Sequence, residues 1–335
     1  MKDDVRMRAW MIDNQGGVEA LKSVEIEKPA ACGTEILVRM TAPGVVPFDV
    51  AVVNDDNEPN FPPCSLPLVP GNQGAGIVED AGTSTRLKAG DRVMFGAFPY
   101  GFMRAGSWAE YCTVEQDHAW KIPDSVSDGA AAQASVAYPT AYRALIEAGF
   151  EAGKTVLVPG IGGSVGNAGY QLARALGAAK VISTTSSSTK AEQARAAGYD
   201  NVIDLSQQSM VEGVHALNGG EGVDIVIDSL GGQILAEAAK CIRRYSKMIC
   251  LGFAAGRDST ITLADLILYR GSIQGYGVYT CTPDEWADAW TVFTSLADFG
   301  KIKPLFDRSF PFDQAPEALE YVRTARPFGG VALEI

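Results

Sequence analysis

Glycine recurs at 160, 163 and 166 in the stretch Pro159-Gly160-Ile161-Gly162-Gly163-Ser164-Val165-Gly166, directly after the aliphatic run Thr155-Val156-Leu157-Val158. Backbone without Cβ atoms can lie against a pyrophosphate, and the first amides of a following helix present partial positive charge to the same anion. Residues Gly166 to Leu176 read as that helix, with Gly177 placed to end it. Strand, glycine turn and helix in this order make Gly160, Gly163, Ser164, Val165 and Gly166 candidates for holding a dinucleotide. The alternative is a glycine-rich connection that merely packs helix on strand. Because the spacing is GxxGxxG rather than GxGxxG, the flanking elements carry more weight than the glycines themselves.

The next strand runs into Ser183-Thr184-Thr185-Ser186-Ser187-Ser188-Thr189-Lys190, which has no Asp or Glu to grip the ribose 2′-hydroxyl of NAD. Hydroxyls at Thr184 and Ser186, with the charge of Lys190, suit a 2′-phosphate and favour NADP, used as NADPH. The same letters also suit a Ser/Thr turn capping a helix that begins near Lys190. Asp204, after the following short strand, weighs against NADP by its charge.

Such a turn has to be held by a parallel sheet. Four aliphatic runs alternate with helix-length stretches from about residue 127 onward: Thr155 to Val158, Lys180 to Ser183, Asp224 to Asp228 and Lys247 to Leu251. That pattern predicts a doubly wound sheet covered on both faces. The run Ser272 to Val278 is the expected last strand, and its free edge suits pairing with a second copy of the chain. Before residue 127 the texture differs, with short β-type runs such as Glu35 to Met40 and Gly76 to Glu79 separated by turns, as in a mostly antiparallel β domain. Asn54 to Pro67 reads as a long surface loop, and Phe95 to Ser107 as a second one. A helix near Asp284 to Phe299 and short strands near Arg308 to Pro311 and Val331 to Ile335 close the sequence.

With 335 residues, the chain is long enough for about two domains at roughly 150 residues each. Lys and Arg total 28 against 40 Asp and Glu, a net charge of −12 that disfavours a nucleic-acid partner. Six cysteines at 32, 64, 112, 241, 250 and 281 form no CxxC pair, which points to reduced, buried thiols and a cytoplasmic setting. Met1-Lys2-Asp3-Asp4 opens no long apolar stretch, so neither a signal peptide nor a membrane span is expected.

Several segments, taken in order, resemble the medium-chain dehydrogenase/reductase superfamily and its zinc-independent quinone oxidoreductase branch. They are Ala42 to Asp49, Val69 to Gly76, Ala89-Gly90-Asp91-Arg92-Val93, Pro139-Thr140-Ala141-Tyr142, the glycine turn, Val226 to Gly232 and Phe328-Gly329-Gly330. The resemblance implies an α/β protein with a GroES-like catalytic β domain over 1–126, a Rossmann NADP-binding domain over 127–278, and a return segment over 279–335 completing the first. It implies a cofactor in the cleft between them and a homodimer paired through the last Rossmann strand. By family position, Thr140, Ser229, Gly252 and Phe253 join the cofactor contacts, and Val46, Phe48, Asn72 and Tyr138 become candidates for touching substrate. Tyr138 is also the one candidate proton donor, against the alternative of an interior aromatic.

Zinc-dependent relatives carry ligands where this chain has Val46 and Asn72, and a third near Val136. Hydrocarbon and amide are poor zinc donors, and the two histidines, His118 and His215, have no ligand-like spacing, so no metal is expected. The branch itself usually has Asn at the position of Val46 and Lys where Gly330 stands, which leaves the acceptor open. Without a Lewis acid, conjugated acceptors suit hydride transfer better than simple ketones, because charge spreads onto an enolate or hydroquinone oxygen. The expected activity is NADPH-dependent reduction of quinones or related conjugated carbonyls. Alternatives are reduction of enones or enoyl thioesters and, in another class, an NADPH-binding structural or regulatory protein.

Overall fold

A computed structural model describes residues 6–56, 63–96 and 99–335. The chain divides into two compact units, 1–136 with 306–335 and 137–305.

The first unit opens with an antiparallel pair, β1 (Arg6–Met11) and β2 (Lys22–Glu27). β3 (Glu35–Val45) comes next, and its run of inward aliphatic residues pairs with β4 (Gln73–Asp80) on one side. Between them lies α1 (Pro47–Asn54), which starts at a proline preset for the first helical turn and ends at Asp55 in the left-handed region. β5 (Arg92–Gly96), β6 (Tyr111–Glu115) and β7 (Ala119–Lys121) extend the same antiparallel sheet, with β6 beside β3 and β7 beside β5. α2 (Asp128–Glu147) then carries the chain into the second unit, with Pro139 inside it.

In the second unit β8 (Thr155–Val158), α3 (Ser164–Ala175), β9 (Lys180–Thr185), α4 (Ser188–Ala196) and β10 (Val202–Asp204) come first. α5 (Met210–Leu217), β11 (Val223–Asp228), α6 (Gly232–Ala238) and β12 (Ile242–Cys250) continue it. The unit ends with α7 (Leu263–Tyr269), β13 (Ser272–Gly275) and α8 (Pro283–Asp298). Its strands are all parallel in the order β10-β9-β8-β11-β12-β13, the doubly wound arrangement that the aliphatic runs predict. Strand order reverses between β8 and β11, where such sheets open a crevice at their carboxyl ends. Leu157, Ile182, Val226 and Met248 are each 1% exposed or less, so the sheet centre is closed to water.

The chain then returns to the first unit through β14 (Phe306–Pro311), α9 (Ala315–Ala325) and β15 (Gly330–Glu334). β15 lies between β14 and β3, pairing Ala332 with Gly44.

Several boundaries differ from the sequence expectation. The division between units falls within α2 and before Phe306, so residues 279–305 go with the second unit rather than with the return segment. The reason is the apolar face of α8: Phe293 packs edge-on against Tyr138 at 4.8 Å, and Trp290 lies 6.0 Å from Phe293. α3 starts two residues earlier than expected, at Ser164. β13 stops at Gly275, opposite Cys250, because β12 ends there and offers no further partner. α1 occupies the start of the expected loop at Asn54, and residues 57–62 of that loop lie outside the described residues, as do 97–98 of the second. No helix among the described residues is long and apolar enough to cross a membrane.

Candidate functional site

At the carboxyl end of β8 the chain turns through Gly160 with φ +85°, a conformation that few other residues adopt without strain. Gly163 N donates to Gly160 O at 3.0 Å and is the N-cap of α3. A Cβ at Gly166 would stand 2.2 Å from Gly160 O, so only glycine lets the first turn of α3 lie this close to the turn before it. With glycine at the N-cap, the cap residue places no side-chain hydrogen bond on the amino end of α3. That end is a cradle of backbone suited to an anion.

β9 supports the cradle. Thr184 is 1% exposed, its hydroxyl accepts from Gly160 N at 3.2 Å, and its carbonyl accepts from Ile161 N at 3.0 Å. It therefore shapes the glycine turn, with its hydroxyl engaged by Gly160 N. Ser186 is exposed just beyond, and Lys190 lies in the first turn of α4, where its N–H donates to the N-cap hydroxyl of Ser187 at 3.4 Å. The Ser/Thr stretch does cap a helix, which begins at Ser188 rather than near Lys190. Asp204 sits across from Thr185, and its carboxylate accepts from Ser188 Oγ and Ser206 Oγ, each at 2.6 Å. Those hydroxyls hold its carboxyl below the ordinary aspartate range, so a negative charge is fixed beside the start of α4.

The loops after β11 and β12 form the other side of this end of the sheet. Ser229 and Gly252 are brought together, since a Cβ at Gly252 would meet Ser229 O at 2.5 Å. Leu230 reaches the glycine turn, its Cδ1 being 3.1 Å from where a Gly160 Cβ would stand. Ala255 N donates to Leu230 O at 2.6 Å, and Gly231 bridges to Gly256. Phe253 is 45% exposed, with the Arg257 guanidinium 5.7 Å from its ring centre. Asp228 ties the first loop down by accepting from Gly231 N at 2.7 Å, and burial raises its carboxyl pKa. Sequence reasoning alone does not single out Asp228 or Leu230. An Asp three residues before a glycine at a strand end is the available signal for this turn.

Thr140 is buried on α2, and so is Tyr138, which is 2% exposed and packed on Phe293. The Tyr138 hydroxyl is enclosed with no hydrogen-bond partner among the described residues, and burial raises its pKa well above the ordinary tyrosine value. Tyr138 is thus an interior aromatic packed on Phe293.

In the first unit Val46 is the N-cap of α1, and Phe48 lies within that helix with its ring 5.9 Å from Phe102. Asn72 comes directly after a tight knot in which Gly106 N donates to Val69 O, Ser107 N to Gly71 O and Trp108 N to Pro70 O. Its side-chain Nδ2 donates to Tyr100 O at 3.2 Å. Tyr100 OH meets His118 Nδ1 at 3.1 Å, so His118 is a locally bonded residue; His215 is exposed on α5. Among the described residues no three His, Cys, Asp or Glu stand together as metal ligands. The donor chemistry of Val46, Asn72 and Val136 does not fit zinc. All six cysteines are free. Cys112 and Cys241 are interior, with burial pushing both thiols up to about 12, whereas Cys32 is exposed in the turn before β3, contrary to the expectation of burial.

Residues 164–295 match the family model described as zinc-binding dehydrogenase, and residues 33–124 the alcohol dehydrogenase GroES-like domain. The quinone oxidoreductase-like protein 2 of Bos taurus is 31% identical over 283 residues, covering 81% of this chain and 77% of that protein. Among solved structures, a putative alcohol dehydrogenase from Sinorhizobium meliloti 1021 superposes with TM-score 0.87 at 28% identity, covering 100% of both chains. A mycobacterial protein solved in complex with NADPH superposes with TM-score 0.83 at 25% identity, covering 98% of this chain and 100% of its own.

Proposed function

The chain belongs to the medium-chain dehydrogenase/reductase superfamily, with quinone oxidoreductase relatives, and from that premise we propose that it is an NADPH-dependent, zinc-independent reductase of quinones or related conjugated carbonyls. The uncapped amino end of α3, opened by Gly160 and Gly166, carries this reading. Backbone amides there would hold the pyrophosphate, and the turn at Thr184 keeps that backbone in place. Ser186 and Lys190 would meet the 2′-phosphate, with no carboxylate within the Ser183–Lys190 turn itself, while the Asp204 carboxylate bonded to Ser188 is the charge that Lys190 would have to offset. Ser229, Gly252 and Phe253 would line the nicotinamide end. Bound there, NADPH supplies a hydride from nicotinamide C4. Val46, Phe48 and Asn72 would orient the acceptor and exclude water, and with a hydrocarbon and an amide at the zinc positions the acceptor must spread its own developing charge. Solvent water supplies the proton.

A homodimer joined at β13 belongs to the same reading. β13 is the end strand of its sheet with three of its four residues exposed, and beside it α7 exposes Leu263, Ile267 and Leu268 at 69%, 73% and 75%. Light scattering of the wild type and Ile273→Pro is expected to give a dimer and a monomer. Six unpaired thiols support a reducing, cytoplasmic location.

The deciding experiment is oxidation of NADPH and NADH by chelator-treated protein against quinones, enones, an enoyl thioester and simple aldehydes. Rapid NADPH-linked turnover of quinones supports the proposal. Preference for enones or the thioester shifts it to carbon–carbon double-bond reduction. Tight NADPH binding with no turnover by any acceptor points to the non-catalytic class, and activity confined to aldehydes with added zinc would sink it.

A further inference from the structure

Asp49 touches both ends of the acceptor-facing group. It lies on α1, is 0% exposed, and each carboxyl oxygen accepts a different backbone N–H: Oδ2 from Val46 at 2.8 Å and Oδ1 from Asn72 at 3.0 Å. Val46 directly follows β3 and is the N-cap of α1, whereas Asn72 directly precedes β4, so one buried carboxyl bonds both backbones just beyond the last β3–β4 pair, Pro43 with Gly74. Phe48 precedes Asp49 on the same helix and moves with it. Buried carboxylates are costly unless their oxygens are bonded, and the amides of Val46, Asn72 and Gly71 offset part of that cost.

From this geometry we infer that Asp49 is the positioning residue of the acceptor pocket, fixing Val46, Phe48 and Asn72 relative to one another without contacting the reactants itself. The inference rests on the proposal that these three residues meet the acceptor. An amide in place of the carboxyl presents an –NH2 to one of the two N–H donors, so Asp49→Asn breaks one arm of the bridge while keeping its volume. The spacing of the pocket changes, and the nucleotide cradle at α3, built from other residues, does not.

The test compares wild type, Asp49→Asn and a purely structural control, Val114→Ala, whose site on β6 is fully buried. Amide hydrogen exchange at Val46 and Asn72 reads the bridge, NADPH fluorescence titration reads the cofactor site, and steady-state kinetics with the best acceptor read the pocket. Expected for Asp49→Asn are exchange at least tenfold faster at Val46 or Asn72, an acceptor KM raised at least tenfold, and NADPH Kd within twofold. Val114→Ala is expected to lower Tm while leaving acceptor KM and both amides unchanged. Unchanged exchange in Asp49→Asn would overturn the bridge. Faster exchange with an unchanged acceptor KM would show that the bridge does not position the acceptor. Equal rises in acceptor KM in both variants would reduce Asp49 to a stability residue. Absence of turnover in the wild type itself marks failure of the functional proposal, on which the inference then falls too.

Discussion

Two glycine clusters, one in each unit, look alike in sequence and differ in use. In the first unit Gly71, Gly101 and Gly106 crowd together so tightly that a Cβ at Gly106 would stand 2.2 Å from Gly71 O. In the second unit a Cβ at Gly166 would stand the same 2.2 Å from Gly160 O. Around the first cluster the backbone groups are consumed by the protein: Ser107 N bonds Gly71 O, Gly106 N bonds Val69 O, and the Asp49 carboxyl takes Asn72 N. Around the second, the chain passes into a helix whose N-cap is glycine and has no side chain to cover its amides. Close glycines therefore show where backbone meets backbone. Whether they lead into a helix start or a closed knot decides if an anion has anything to bind.

Five substitutions test or sharpen that contrast. The largest effect is expected from Gly166→Ala, which forces Gly160 O away and is expected to weaken NADPH binding at least ~1,000-fold, about 4 kcal/mol, by fluorescence titration. Its counterpart, Gly106→Ala, is expected to destabilise the first unit by about 1–3 kcal/mol in urea unfolding while leaving NADPH Kd unchanged. Equal losses of NADPH affinity in the two would erase the distinction.

Next comes the pH response of Asp49, whose carboxyl burial lifts from 3.8 to about 7. The folded state then binds this proton more tightly than the unfolded chain, so the contribution is fully present below about pH 4 and is lost as pH rises through 7. Relative to Asp49→Asn, the wild type is expected to lose about 4 kcal/mol between pH 4 and pH 8 in denaturant titrations, an order-of-magnitude figure. A flat difference would mean that Asp49 is ionised throughout.

A smaller change, about tenfold in NADPH Kd or ~1.4 kcal/mol, is expected for Lys190→Ala, with NADH Kd unaffected. Loss of both cofactors alike would remove Lys190 from the 2′-phosphate. Least is expected of Gly163→Ala: its φ of −84° suits any residue, its Cβ would have Gly160 O at an ordinary 3.5 Å, and stability should stay within about 0.5 kcal/mol. Any NADPH loss in that variant therefore reports how near the phosphate comes to the N-cap.

The parallel sheet was legible because buried strands leave aliphatic runs and the turn between β8 and α3 leaves glycines. Both are local signals. Element ends were less legible, because β13 stops where its neighbour stops and α4 starts directly after Ser187, which caps it, neither of which periodicity records. Tyr138 was ambiguous since the letters cannot say that Phe293, far along the chain, packs on its ring. The Asp49 bridge left no trace at all. It joins a side chain to a backbone amide 23 residues away, whereas the sequence draws attention to Asn72 only through its side chain.

The pairing of β15 with β3 has a consequence for synthesis. Gly44 of β3 meets Ala332 of β15, so that register cannot form until almost the whole sequence has been translated. At ~5–20 residues per second, β3 waits roughly 15–60 seconds for this neighbour, while every strand of the second unit has already been made. The second unit can fold as it emerges, as one uninterrupted stretch of chain. In the first, β6 can pair with the Glu35–Arg39 part of β3 early, but the Gly44–Val45 end of that strand must wait for β15, so the last step of its assembly is left to the return of the chain.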